Sequence, residues 1–302
     1  MGETYERYFM KGTLVLWLAV STFVSCIRDK VENCPPLKVT IAVKDKNYFN
    51  IDQVDFEEER KASDLAFREY IPTLTCILRD AHTGEIKDER GLFNVTGDEE
   101  TVQVQFCPCL PHGKYILTVW GGLSDLSPLG NDYDTMDLHP GHMEGEDIYM
   151  VNDTLVYDAY NYDYIVEMER TKGKLIVLAE NLPQNVEYSS ESVDNLFAGV
   201  NCNFQYSGNT HVDAQSAWIG NHAVMKTVLA PSVKERSSLL GLQFYDSEQR
   251  DGVNWSPEDV RITMRRNELT MLRYVWDDVK RDFMVYMRVN DNWDLIHGME
   301  ID

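Results

Sequence analysis

Apolar and polar residues alternate along much of the chain, and this period of two constrains the fold more than any other feature. The first such segment spans residues 37–44 and the last spans residues 283–301. Side chains of a strand point alternately to its two faces, so each segment predicts a strand with one buried face. Many short strands separated by turn residues, with few helical periods, indicate a mainly β protein built from β-sandwiches.

Local patterns make these expectations specific. Residues 102–106 and 115–120 alternate on either side of a Pro-His-Gly-Lys turn, which predicts a hairpin, and residues 174–178 predict a strand. The alternation over residues 283–301 is interrupted by Asn-Asp-Asn, which predicts a closing hairpin. Residues 56–70 predict a short surface helix.

An apolar run over residues 14–25 ends at Cys26. It is shorter than the roughly 20 apolar residues of a transmembrane helix. Met10 and Lys11 precede it, so residues 10–25 have the charged, apolar and small-residue regions of a secretion signal, and residues 1–9 are either leader or a misplaced start.

The end of this run, Phe-Val-Ser followed by Cys26, resembles a bacterial lipobox. In a lipobox the cysteine is diacylated on sulfur, for example with palmitate, and becomes the mature N-terminus. We therefore predict a signal peptide over residues 1–25 and a covalent lipid on Cys26, which holds the protein on a membrane without spanning it. An ordinary signal peptide or an uncleaved signal anchor is the alternative, disfavoured because the cysteine stands at the end of the run.

Length and charge bound the organisation and the partners. Removing residues 1–25 leaves 277 residues, a natural length for two domains. We predict a lipidated tether over residues 26–36, an N-terminal β-sandwich domain over 37–168 and a C-terminal one over 169–302, joined near the turn-like Thr171-Lys172-Gly173. The net charge of −22 makes nucleic acid and anionic lipid headgroups poor partners.

Cysteine usage leaves the redox pattern open. Besides Cys26 the chain has five cysteines, an odd number, so at least one thiol is unpaired within the chain. Cys107 and Cys109 resemble a metal or redox motif, but no second pair completes a zinc site, and we interpret them as small buried residues of a strand. A disulfide of Cys34 with an unassigned partner stays open.

Residues 132–147 form the sharpest candidate for a metal site. His139 and His142 flank Pro-Gly and are surrounded by carboxylates, which are donors for a divalent cation. The alternative is an ordinary acidic loop, because His-x-x-His on a turn lacks the one-face geometry of helical pairs. We expect no metal cofactor and no enzyme activity, since common catalytic motifs are missing from the sequence. A metal-dependent hydrolase using these histidines is the more distant hypothesis.

Four tyrosines cluster between residues 157 and 164, and Tyr160 and Tyr162 are the candidate ligand-binding pair. Aromatic rings offer apolar faces on which sugars stack. A sheet face or a domain interface is the favoured alternative for such a cluster.

Four short patterns, taken in order, resemble the FimB-type fimbrial anchor lipoprotein family of Bacteroidales. They are the lipobox Ser25-Cys26, then Cys34-Pro35-Pro36 before a strand, then Gly113-Lys114-Tyr115 leading to Trp120-Gly121-Gly122, and Asn290-Asp291-Asn292-Trp293 in the closing hairpin. The acidic loop at His139–Asp147 and the pair Cys107 and Cys109 depart from the family's pattern.

The resemblance implies two transthyretin-like β-sandwich domains in tandem and a surface-exposed outer-membrane protein anchored through its lipid. It also implies that fimbrial shaft subunits are partners, joined by exchange of β-strands, and that the chain is the basal anchor that limits fimbrial length. Shaft and tip subunits share leader and fold, so the position in the fimbria stays open. The alternative function is a surface glycan-binding lipoprotein.

Overall fold

The computed structural model describes residues 35–54, 56–107, 110–289 and 292–297. Strands hold 51% of the residues and helices 5%, so the prediction of a mainly β protein is confirmed. In this part of the chain no helix has both the length and the apolar character needed to cross a membrane.

The strands of the first half build one seven-stranded sheet and contribute one strand to a smaller sheet. They are β1 (Lys38–Val43), β2 (Thr73–Asp80), β3 (Ile86–Asn94), β4 (Val102–Gln105), β5 (Gly113–Gly121), β6 (Thr135–Asp137), β7 (Tyr149–Tyr157) and β8 (Asp163–Arg170). The order in the large sheet is β3-β2-β5-β7-β8-β1-β4.

The large sheet folds over on itself at β8. This strand runs parallel to β1 over six register pairs, from Lys38 opposite Asp163 to Val43 opposite Met168. It meets β7 through only two pairs at its other edge. The layer β8-β1-β4 therefore faces the layer β3-β2-β5-β7, and the alternate apolar residues of β1 and β5 fill a common core between them. This is the N-terminal sandwich.

The predicted hairpin between residues 102–106 and 115–120 is wrong, although both strands exist. β4 pairs with β1, and β5 pairs with β2 and β7, so the connection crosses from one layer of the sandwich to the other. Phe106 and Leu110 are buried in the core along this crossing. Alternation predicts which residues form strands, but it does not distinguish a turn within one sheet from a crossing between two.

The second half forms the C-terminal sandwich from two five-stranded sheets. The strands of the second half are β9 (Gly173–Glu180), β10 (Tyr188–Leu196), β11 (Gly199–Asn201), β12 (Tyr206–Ser207), β13 (Thr210–Ala217), β14 (Ala223–Leu229), β15 (Ser238–Tyr245), β16 (Asn254–Trp255), β17 (Val260–Ile262), β18 (Leu269–Asp277), β19 (Asp282–Val289) and β20 (Asn292–His297). All of them except β11 and β12 belong to these two sheets.

One sheet of this sandwich has the order β14-β9-β18-β19-β20, and the other contains β13-β10-β15-β16 with β17 also paired to β15. Phe244 of β15 and Phe283 of β19 stack across the core with ring centroids 5.1 Å apart. β9 runs parallel to β18, as β1 runs parallel to β8, so each half begins with a strand that pairs in parallel with a strand near its end.

The predicted strand at residues 174–178 is confirmed as part of β9, and the closing hairpin is confirmed as β19 and β20. Asn290, Asp291 and residues 298–302 lie outside the described residues. The helix predicted over residues 56–70 is wrong. The segment has two 3₁₀ turns, Glu57–Glu59 and Phe67–Glu69, after the short helix α1 (Ile51–Val54). Phe56 packs on the C-terminal sandwich and Phe67 in the N-terminal core, and the chain between them extends to bridge the two.

The two halves share packing. A core cluster includes Trp120 and Met150 from the first half together with residues of the C-terminal sandwich. β6 pairs with β11, which also pairs with β12, in a three-stranded sheet that joins both halves. β8 continues past the predicted boundary at residues 168 and 169 to Arg170, and β9 begins at Gly173. The division into two domains stays a prediction.

Candidate functional site at the junction of the sandwiches

Cys26, the predicted lipid-attachment residue, lies outside the described residues, so its lipid stays a prediction. Cys34 and Cys109 lie outside them as well. Cys107 was expected to be buried in a strand, and this is wrong: it is exposed, because β4 ends at Gln105 and the Cys107 N–H donates to the carboxylate of Asp88 at 2.7 Å.

His139 is buried, and backbone groups surround both of its ring nitrogens. Nδ1 lies 3.0 Å from the carbonyl oxygen of Met143 and 3.1 Å from that of Glu144, and Nε2 accepts the N–H of Ala230 at 3.0 Å. This pattern fits a neutral imidazole with its proton on Nδ1. Burial, together with the charge of Lys172, lowers the pKa of His139 to about 3. The ring therefore ties the loop after β6 to the residue that follows β14.

His142 points elsewhere. It is exposed, its Nδ1 lies 3.1 Å from Oγ1 of Thr210, and its ring stacks on that of His211 with centroids 4.0 Å apart and an angle of 11° between planes. His139 and His142 therefore make separate contacts with the C-terminal half. Within residues 35–297, leaving out the gaps, no group of three or more His, Cys, Asp or Glu side chains is arranged to hold a metal ion.

The tyrosine cluster also divides. Tyr160 is 92% exposed at the tip of the turn between β7 and β8, where Asp158 accepts its backbone N–H at 2.7 Å. Tyr162 packs half-buried against the N-terminal core, and the Tyr157 hydroxyl donates to the carbonyl of Pro35 at 2.7 Å inside it. A ligand-binding role for Tyr160 and Tyr162 stays a prediction, and of the two only Tyr160 has its ring in solvent.

The strongest concentration of buried charge lies where the two sandwiches meet. Arg170, the last residue of β8, is 3% exposed. Its Nε donates to both carboxylate oxygens of Asp147 at 3.0 and 3.1 Å, and Nη1 donates to Oδ1 of Asn267 at 2.8 Å. Nη2 donates to the hydroxyl of Tyr149. One guanidinium therefore joins the N-terminal sandwich to the loop before β18.

Aromatic rings enclose the same guanidinium. Its central carbon lies 4.1 Å from the ring centroid of Tyr48 and 4.8 Å from that of Tyr149. Burial is the largest single influence and acts to lower the pKa of Arg170, but the interactions with Asp147, Tyr149 and Tyr48 together outweigh it, so the pKa is raised. Arginine suits this place because its planar group donates in several directions while its faces pack on rings.

Lys172 is the second buried cation of the junction. It is fully buried, and Nζ donates to the carbonyl oxygen of Glu144 at 2.7 Å. Burial lowers the pKa of Lys172 to about 8, although the carboxylates around it, Asp147 first among them, oppose this. Gly173, the next residue, fits because a Cβ there would overlap the carbonyl oxygen of Arg265.

A segment of the first half covers the C-terminal sandwich. Ile51 and Val54 of α1 pack on Ile176 and Met271. Next to these apolar contacts, the side-chain amide of Asn50 makes two hydrogen bonds of 2.9 Å: it donates to the carbonyl oxygen of Leu269 and accepts the N–H of the same residue.

Ion pairs continue the same contact. Glu59 pairs with Lys174 at 2.7 Å and with Lys226 at 3.0 Å, and Glu169 pairs with Lys44 at 3.1 Å and with Arg266 at 2.6 Å. The junction thus holds the two sandwiches together through hydrogen bonds, ion pairs and apolar packing, and this is the arrangement of a structural contact.

The sequence reasoning did not single out Arg170, although a signal was present. Arg170 stands in phase with Val166 and Met168, the buried residues of β8. When a charged residue falls on the face of a strand that the alternation predicts to be buried, a buried ion pair is expected.

No protein-family model and no curated protein matches the chain in sequence. Solved structures match it in fold. A candidate adhesin of Bacteroides thetaiotaomicron is 15% identical with a TM-score of 0.59, and the match covers 89% of this chain and 100% of the other. A candidate polysaccharide-binding protein of the same species is 11% identical with a TM-score of 0.55, covering 86% and 98%. The fimbrial anchor protein Mfa2 of Porphyromonas gingivalis is 11% identical with a TM-score of 0.50, covering 88% and 100%.

Proposed function

We propose that this chain is a fimbrial subunit of the bacterial cell surface, attached to the outer membrane by a lipid on Cys26 and serving as the basal anchor of the fimbria. The observation that carries the proposal is that its fold is similar to that of the fimbrial anchor protein Mfa2. The match spans 88% of this chain and all of Mfa2's. The apolar run ending at Cys26 supports the lipid.

Assembly by strand exchange is the second part of the proposal. A strand added to an open sheet edge satisfies backbone donors and acceptors, and its alternate side chains fill a groove. β14 supports this part, because it pairs with β9 over seven unbroken register positions and with no other strand of the described residues. Val224 on this strand is half exposed. We propose the open edge of β14 as a position where a neighbouring subunit adds a strand.

The lipid anchor is tested by replacing Cys26 with alanine in cells that assemble fimbriae. We expect the variant to lose incorporation of radiolabelled palmitate and to release its fimbriae into the medium. Cys34→Ala is the matched control, since it removes a thiol eight residues further along the chain. The anchor role is wrong if Cys26→Ala cells keep fimbriae attached and equally long.

The position in the fimbria is tested by the proteins that co-purify with an epitope-tagged chain from detergent-solubilised outer membranes. A heat-resistant ladder of fimbrial subunits is expected, with the tagged chain labelled by immunogold at the cell end of each fimbria. Label along the shaft or at the far end contradicts the anchor assignment. Recovery of the chain alone contradicts the fimbrial role.

A glycan-binding surface lipoprotein is the second candidate, supported by the exposed ring of Tyr160 and by the fold likeness to the candidate polysaccharide-binding protein. It predicts saturable binding of a purified polysaccharide that weakens in Tyr160→Ala. Tyr164→Phe is the control, because it alters a half-buried tyrosine of β8 and leaves the exposed ring of Tyr160 in place. Flat titrations across a polysaccharide panel would remove this candidate.

A further inference from the structure

A groove at one end of the C-terminal sandwich collects positive charge in a chain whose net charge is −22. Its volume is about 350 Å³, and it lies where α1, β17, β18 and the end of β19 come together. Four arginines and two glutamates line it, which leaves a surplus of two positive charges. They are Arg236, Arg261, Arg265, Arg288, Glu235 and Glu268.

The two glutamates are already engaged with one arginine. Arg265 lies 3.6 Å from Glu235 and 3.5 Å from Glu268. Arg236 and Arg261 are exposed, and among the described residues their guanidiniums meet neither a carboxylate nor a hydrogen-bond acceptor. Two arginines therefore face the groove with their donors available.

The backbone holds Arg236 in place. Its φ of 52° lies in the left-handed region that non-glycine residues seldom adopt. Its N–H donates to Oγ1 of Thr263 at 2.7 Å, which fixes the turn against the strand segment that follows β17. The backbone from which the side chain extends is therefore already ordered, so this turn need not change when the guanidinium binds an anion.

We infer that this groove binds an acidic polysaccharide, one that carries carboxylate groups on its sugars. Guanidinium groups match carboxylates with two parallel hydrogen bonds. Gln53, Thr263 and Thr270 add polar groups at the same wall that suit sugar hydroxyls.

The shape of the floor favours a sugar chain over an acidic peptide. A bound peptide strand places its alternate side chains in pockets. Of the apolar residues that line the groove, Val54 and Leu269 are buried by their own neighbours, Met287 is half-buried and Val289 is exposed at the end of β19, so they form no row of alternate pockets. The inference concerns a ligand and a site different from those of Tyr160, and it depends neither on the lipid nor on the fimbrial role.

The test is calorimetric titration of the purified protein with tetragalacturonate, with neutral maltotetraose and a tetraglutamate peptide as comparison ligands. We expect tetragalacturonate to bind and the other two not to. Binding should weaken about tenfold in Arg236→Gln/Arg261→Gln, because two charge-assisted contacts are lost. It should also weaken when salt rises from about 0.05 M to about 0.3 M.

Arg281→Gln is the matched control. Arg281 is also exposed and has a φ of 56°, so the same substitution makes the same change of charge and backbone environment as at Arg236, but outside the groove. We expect it to bind tetragalacturonate as the unaltered protein does. The inference is overturned if tetragalacturonate does not bind, if tetraglutamate binds equally well, or if the double variant and the Arg281→Gln control bind alike.

Discussion

Replacing Arg170 by methionine removes the central cation of the junction while keeping a side chain of similar length. The carboxylate of Asp147 then loses its partner at 3.0 Å, and Asn267 and the Tyr149 hydroxyl lose theirs. Removing one member of a buried ion pair costs about 3–5 kcal/mol, and the lower end of this range applies because Asp147 is 32% exposed and water can reach its carboxylate. The cation–π contacts with Tyr48 and Tyr149 add to the loss. Because losses at one group are not additive, we expect the free energy of unfolding to fall by about 4 kcal/mol in total.

Urea unfolding measures this change. Tryptophan fluorescence and far-ultraviolet circular dichroism should be followed together, since coincident transitions show that the two sandwiches unfold as one unit. Arg68→Met is the matched control: Arg68 lies 2.6 Å from Asp98, but its side chain is 40% exposed. An exposed pair contributes little, so this variant should lose less than about 1 kcal/mol.

The single variant Asp147→Asn and the double variant Arg170→Met/Asp147→Asn complete a thermodynamic cycle with Arg170→Met. If the ion pair carries the effect, the double variant loses less than the sum of the single ones, with a coupling of about 2 kcal/mol. The reasoning is refuted if Arg170→Met costs no more than Arg68→Met, or if the two substitutions at the junction add without coupling.

Three further predictions concern buried titratable groups. Burial raises the pKa of Glu191 to about 7, so between about pH 4.5 and pH 7 the folded state holds a proton that the unfolded state has lost, and stability falls as pH rises through this range. Glu191→Gln removes this loss and should raise the free energy of unfolding by about 3 kcal/mol near pH 8, with little change near pH 4.5. The pKa of Lys172 is lowered to about 8, so the unaltered protein should gain stability relative to Lys172→Met between about pH 8 and pH 10.5. The pKa of His139 is lowered to about 3, so acid protonates the unfolded state first, and the unaltered protein should lose roughly 3 kcal/mol more than His139→Gln between about pH 6.5 and pH 4. Urea titrations across these pH ranges check all three, and parallel pH curves for variant and parent would contradict each one.

The sequence predicted which residues form strands better than it predicted their partners. Alternation is a local property, and it located β9 and the hairpin of β19 and β20. The pairing of β4 with β1 joins residues more than 60 positions apart and depends on how the whole sandwich closes. No local pattern encodes that closure, and for this reason the hairpin predicted between β4 and β5 was wrong.

In the candidate sites, too, local sequence patterns do not show which residues the fold brings together. His139 and His142 are close in sequence, but a positive φ of 64° at Gly141 and one of 63° at His142 turn the second ring away. The arginine groove gathers residues from four separate segments between Asn50 and Val289, so sequence spacing does not reveal it. Arg170 was the exception, because its phase in β8 is visible in the sequence.

The parallel pairing of β1 with β8 determines how the N-terminal sandwich responds to stretching. The chain enters β1 at Lys38 and leaves β8 after Arg170, so a pull on the two ends of this half draws the strands past each other along their length. All the hydrogen bonds between them then bear the tension at once, whereas an antiparallel hairpin pulled at its open end separates one bond at a time. β9 and β18 also pair in parallel, over seven register pairs, but β19 and β20 follow β18, so the chain does not leave the second half from that pair. The pairing of β1 with β8 thus gives the N-terminal sandwich a mechanical clamp.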